Sequence, residues 1–222
     1  MKLLGMEFTV SYRRVRYSRI DMRDGSLILI LPHGEDPKAF VERHELRIRR
    51  LYDEVSAIKE KALADIKPGT VELLGRRYAL KEDCERKPGI EGNAFVFCPG
   101  NYGKTRETVK SMLRKDIESR LEHYGEMTGL RAERFFIREQ VTKWGSCSSR
   151  GNLNFNLRLA FVPSDFLDYI VVHELIHLRH MNHGKDFKRE VRETYGRELP
   201  AKEEMMAYWF RSGYFMEALG KE

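Results

Sequence analysis

The sequence holds a single glutamine and three cysteines among 222 residues, and no apolar run approaches the roughly 18 residues that span a bilayer. Its densest apolar stretches, Leu27 to Leu31 and Ile170 to Val172, are far shorter. The N-terminus reads Met1, Lys2, Leu3, Leu4 and soon meets Glu7, without the apolar core of a secretory leader. These absences predict a soluble, cytoplasmic protein with no membrane partner. Cys84, Cys98 and Cys147 form no CxxC pair, and an odd cysteine count without a leader predicts reduced thiols and no disulfide framework. Neither an internal repeat, a low-complexity tract nor a P-loop is present. The scarcity of glutamine beside 33% charged residues fits the composition bias of heat-adapted proteins.

What is present is a globular composition. With 41% hydrophobic and 11% aromatic residues the chain can bury a core, which excludes a disordered tail or a collagen-like fibre. Its length leaves room for one large domain or two small lobes. The 40 Lys+Arg against 34 Asp+Glu give a net charge of +6. That surplus would attract a polyanionic substrate, yet it is too small to argue for a nucleic-acid partner by itself.

Hydrophobic spacing divides the chain at about residue 103. Met6 to Arg16 and Leu27 to Leu31 read as strands, with Asp24-Gly25 as a hairpin signal between them. Asp36-Pro37 opens a helix. Ile48, Leu51, Val55, Ile58, Ala62 and Ile66 then recur at three and four residues, marking a long amphipathic helix whose solvated face carries Arg47, Arg49 and Arg50. Val71 to Leu80 reads as two strands about Gly75, and Asn93 to Cys98 as another. Residues 1–103 therefore form a small β-rich lobe with one long helix. In residues 104–222, Val109 to Tyr124 mark a helix ending near Gly129, Phe135 to Val141 a strand, and Asn152 to Asn156 a strand alternating amides with Leu153, Phe155 and Leu157. From Ser164 onward the pattern is helical, so the second lobe is a short sheet backed by helices. Met205, Met206, Tyr208, Trp209 and Phe210 read as a core-facing helix.

Four of the seven histidines fall between His173 and His183, in the stretch YIVVHELIHL from Tyr169 to Leu178 and its continuation RHMNHG. The surrounding residues are apolar on nearly every side, so imidazoles and a carboxylate buried there need a common partner, and a cation supplies one. His173 and His177 lie four residues apart, which on a helix places both rings on one face about 6 Å apart along the axis, the spacing that grips a zinc ion. Glu174 is rotated by roughly 100° from His173. There it can reach a water held by the metal and act as general base, then general acid. For the third ligand His180 and His183 compete. His180 shares the helical face but stands roughly 10 Å from His173 along the axis. His183 would point about 240° away from His177 on a continued helix, so it can coordinate only if the chain turns first. Asn182 and Gly184 favour such a turn, which makes His183 the preferred third ligand.

These residues, with Lys143-Trp144-Gly145-Ser146-Cys147, the asparagine-rich strand, Pro163, Asp168-Tyr169 and Phe187, resemble the YgjP-like metal-dependent hydrolases, a zincin-type metallopeptidase family related in its core to the SprT-like and WLM proteases. The resemblance reaches more weakly into the first lobe through Leu74-Gly75 and Tyr78. It implies an α+β, zincin-like fold, zinc held by His173, His177 and His183, and Glu174 as general base. It also implies that the strand Asn152 to Asn156 carries an open edge for extended substrate, with Asn154 as a candidate substrate-facing residue; His180, set aside as third ligand, is left as a second, supporting or substrate-facing candidate. Lys188 and Arg50-Leu51-Tyr52 depart from the family pattern at positions away from the ligands. The functional reading is a zinc-dependent metallopeptidase. Alternatives are a UTP pyrophosphatase, to which members of the family are linked, and a nucleic-acid-associated zinc protein of SprT-like kind. Lys143, His180 and Tyr195 are candidates to stabilise an oxyanion, whereas Trp144 and Cys147 read as packing residues.

Overall fold

In the computed structural model, which describes residues 2–3, 6–23 and 26–221, the chain divides into two units, Met1–Asp65 and Ile66–Glu222. Strands β1 (Lys2–Leu3), β2 (Met6–Tyr12), β3 (Arg19–Arg23) and β4 (Ser26–Leu31) precede helices α1 (Pro37–Arg43) and α2 (Glu45–Ala64) in the first unit. The sheet order is β1-β2-β4-β3. Asp24 and Gly25 lie outside the described residues, but β3 and β4 on either side pair antiparallel, while β2 runs parallel to β4. The sequence pattern hides β3 because Arg19 and Asp21 dilute its apolar content. Asp36 caps α1 through its side chain, with proline in the first turn, as the Asp-Pro signal requires. Leu27, Leu29 and Leu31 meet Phe40, Val41 and Ile48 in a small core.

The second unit begins with β5 (Thr70–Leu73), β6 (Arg76–Glu82), β7 (Gly89–Glu91) and β8 (Ala94–Phe97), a sheet ordered β5-β6-β8-β7. Helix α3 (Tyr102–Thr128) follows and ends on Gly129 in the left-handed conformation, φ 71°, the usual glycine terminator. A second sheet holds β9 (Arg134–Arg138), β10 (Gly145–Cys147) and β11 (Asn152–Asn156) in the order β10-β11-β9. A 3-10 helix (Leu157–Phe161) then leads into α4 (Ser164–Ile176), α5 (Lys185–Tyr195) and α6 (Lys202–Ala218). Val71, Leu73, Phe95 and Phe97 bury into the same core as Leu113, Ile117, Phe155, Phe166 and Val171. The strands of residues 70–97 therefore belong with the histidine-bearing helix, and the division falls after Asp65 rather than at 103. Among the described residues no helix is long and apolar enough to cross a membrane.

The expectation of three reduced thiols is overturned, because Cys84 and Cys98 form a disulfide and only Cys147 is free. β6 and β8 are parallel neighbours, with Glu82 opposite Phe97. The residues just past their ends emerge side by side, with Cα atoms 4.5 Å apart despite a separation of 14 positions. We expect the denatured, unreduced chain to titrate one thiol and the reduced chain three. Reduction should cost on the order of 3 kcal/mol of stability, the chain-entropy value for a loop of this length, read as a lower Tm. Three thiols before reduction would refute the pairing.

Candidate metal centre

Helix α4 is apolar around most of its circumference and buries Phe166, Leu167, Ile170, Val171, Val172, Leu175 and Ile176. It stops one residue before His177, which serves as its C-cap. Tight backbone bonds follow, from Leu178 N–H to the Leu175 carbonyl and from Arg179 N–H to the Ile176 carbonyl, each 3.0 Å. The chain therefore turns away from the helical path, as a ligand role for His183 requires. His183 returns so that its Nε2 lies 3.0 Å from Nε2 of His173. One nitrogen from each of His173, His177 and His183 falls within 4.8 Å of the others, a group that could hold a metal ion. Phe187 of α5, only 3% exposed, supports all three rings. It stacks on His177 at 4.4 Å and meets His173 and His183 at 4.9 and 4.8 Å.

Electrostatics suit a cation. Burial, reinforced by His177 and His183, pushes His173 down to about 4, and burial also lowers His177. Neutral imidazoles keep the lone pairs that ligation needs. Nδ1 of His177 donates to the His180 carbonyl at 2.9 Å; a carbonyl only accepts, so the proton sits on Nδ1 and Nε2 is left free to coordinate. Glu174 is 5% exposed, and its Oε2 has no hydrogen-bond partner among the described residues. Burial raises its carboxyl to about 8, with Lys143 acting in the opposite direction. Strand β10 passes so close that a Cβ on Gly145 would lie 2.7 Å from both Cγ and Oε1 of Glu174. Any side chain at Gly145 must displace the carboxylate.

These groups open onto one cavity of about 420 Å³, lined also by Lys143, Trp144, Tyr169, Met181 and Met205. Three convergent imidazoles and an orphaned carboxylate oxygen fit a metal with N and O donors and an adjacent water. Comparison with known proteins decides the family: residues 16–208 match the family described as YgjP-like, metallopeptidase domain. The chain belongs to the YgjP-like family. By that membership it is a metal-dependent hydrolase of metallopeptidase type. The crystal structure of the metallopeptidase zymogen abylysin from Pyrococcus abyssi is similar over 41% of this chain and 87% of that one, at 23% identity and a TM-score of 0.34. No curated protein matches.

In this YgjP-like chain His173, Glu174, His177 and His183 share the cavity, whereas the other two candidates are not among its lining residues. The His180 ring turns to Glu190, and Asn154 bonds Ser146 at 3.3 Å. The strand bearing Asn154 has no open edge: β11 lies between β10 and β9. The strand on the cavity is instead β10, whose three residues are too few to show a period in the sequence. Lys143 lines the cavity, whereas Tyr195 is buried against Tyr169. Trp144 packs edge-on to Phe166 and Trp209 and also lines the cavity. Cys147 lines it as well, its thiol pushed up by burial and by Glu174. Met205 reaches the cavity too, while Phe210 of the same helix is buried.

Sequence reasoning named Gly145 and Phe187 only within the family pattern and gave neither them nor Asn156 a part in the site's construction. Asn156 is fully buried, and its amide donates to the Gln140 and Lys143 carbonyls, both at 2.7 Å. Its own N–H donates to the Trp144 carbonyl at 2.8 Å. Through these bonds it holds the segment that brings Lys143 and Gly145 to Glu174. No local signal marked Asn156, since Leu157 and Leu159 continue the alternation of Leu153 and Phe155 although a 3-10 helix already begins at Leu157.

Proposed function

We propose that the chain is a zinc-dependent peptidase in which His173, His177 and His183 hold the ion and Glu174 moves the protons. The observation that carries this reading is a cluster of three imidazoles beside a buried, unpartnered carboxylate in one cavity. Zinc at such a site acidifies water and polarises a carbonyl oxygen. Glu174, held against Gly145, takes the proton of the attacking water and passes it to the leaving amine. The outer edge of β10 has no strand partner among the described residues, and an extended peptide can add to it by main-chain hydrogen bonds. Trp144, Tyr169, Met181 and Met205 offer apolar surface to its side chains, and the Lys143 ammonium is placed to face developing negative charge.

Cleavage of a triphosphate would call for several cations around the phosphates. Lys143 is the sole lysine or arginine among the lining residues, which favours the peptide. The test follows fragmentation of casein and pyrophosphate release from UTP by the zinc-loaded chain in parallel. Casein cleavage abolished by chelator is the expected result. Pyrophosphate release without casein cleavage would replace the peptidase reading with a nucleotide hydrolase.

A further inference from the structure

Glu190 lies on α5, outside the cavity, and its side chain is 19% exposed. Its Oε2 receives Nε2 of His180 at 2.7 Å, and its Oε1 bonds Arg179. A carboxylate only accepts, so the His180 proton must sit on Nε2. Arg179 reaches onward to the Thr128 carbonyl at the end of α3, 2.9 Å away. Both oxygens of one carboxylate thus grip two consecutive residues of the turn that ends α4. His180 is tied at two further points: its N–H donates to the Ile176 carbonyl at 3.0 Å, and its carbonyl receives Nδ1 of His177 at 2.9 Å.

We infer that Glu190 is a positioning residue for the metal centre, acting through His180. The inference rests on the metal reading proposed above. Besides the stacking of Phe187 on its ring, His177 is held through Nδ1 by the His180 carbonyl, and the direction of that carbonyl depends on where the His180 peptide is held. Among the described residues, the side chain that anchors the His180 ring is Glu190. The same turn delivers His183, which is exposed and depends on the path of the chain to reach His173. A carboxylate on α5 therefore sets two of the three imidazoles without touching either. Partners one step behind metal ligands commonly govern affinity by 10- to 100-fold.

The experiment measures the zinc dissociation constant by competition with a chromophoric chelator for wild type, Glu190→Ala, Glu190→Gln, His180→Ala and the double variant His180→Ala/Glu190→Ala. The metal-free Tm of each serves as fold control. Expected is a dissociation constant raised on the order of 10- to 100-fold in Glu190→Ala, largely recovered in Glu190→Gln, whose amide oxygen still accepts from His180. His180→Ala should match Glu190→Ala, and the double variant should be no worse than either, because both remove one linkage. A Glu190→Ala constant within twofold of wild type, or additive losses in the double variant, overturns the inference while leaving the metal reading intact. A lower metal-free Tm with unchanged zinc affinity marks a merely structural ion pair and also overturns it. Should Glu190→Ala fail to fold, Glu190→Gln and His180→Ala decide by the same measure. A wild-type chain that binds no zinc overturns both readings.

Discussion

Glu174→Gln is expected to retain one zinc per chain and to lose turnover by about 10²- to 10⁴-fold, the range of a removed general acid-base. The substitution keeps the shape that Gly145 accommodates, so the loss reports chemistry rather than packing. An amide cannot take a proton from water at neutral pH, and the cavity offers no neighbouring carboxylate among its lining residues to replace it. The measurement is kcat on casein beside zinc content by atomic absorption. A variant that keeps more than a tenth of wild-type kcat with full zinc would remove Glu174 from the proton-transfer role. A variant that loses zinc would show instead that the carboxylate belongs to the coordination of the ion.

His183→Ala is expected to bind zinc far below one per chain under conditions that saturate wild type, while His180→Ala still takes up one ion when zinc is in excess. The contrast follows from where the two rings point, one at His173 and the other at Glu190. Thermal unfolding reads the same difference. At a thousandfold excess of zinc over its dissociation constant, binding to the native state adds about 4 kcal/mol. In a unit of this size that raises Tm on the order of 10 °C. The rise should vanish in His183→Ala and persist in reduced size in His180→Ala. Full zinc content in His183→Ala with loss in His180→Ala would assign the third ligand the other way.

The parts of the centre that could be read directly were local in sequence. His173 and His177 share a face because a helix repeats every 3.6 residues wherever it forms, and the apolar residues around them predict burial whatever they pack against. The requirement that the chain turn before His183 followed from the same arithmetic. The termination of α3 at Gly129 and the capping of α1 by Asp36 were local as well, set by a glycine in the left-handed conformation and by a side chain that accepts from the first turn. Misreadings arose where partners are distant in sequence. The strand of Asn152 to Asn156 alternates clearly, but alternation says which face is buried and nothing about which edge is covered. Its partner β10 is three residues long and lies beyond a loop whose Gln140 and Lys143 carbonyls are bonded by Asn156. The disulfide depended on a parallel pairing of β6 with β8, and no local signal announces the neighbours of a parallel strand.

By itself the sequence determined the ligand-bearing helix, its burial, the glutamate beside the first histidine and the need for a reversal after the second. These are consequences of backbone geometry and of hydrophobic spacing within about a dozen residues. Only the tertiary structure decided that Gly145 rather than an asparagine faces Glu174, that Phe187 supports the three rings, that His180 turns to Glu190, and that Cys84 meets Cys98. Each of these is a contact between elements whose approach is set by how the core of the second unit packs. The cost of a clash, an orphaned polar group or a displaced ring is known only once the partner is in place.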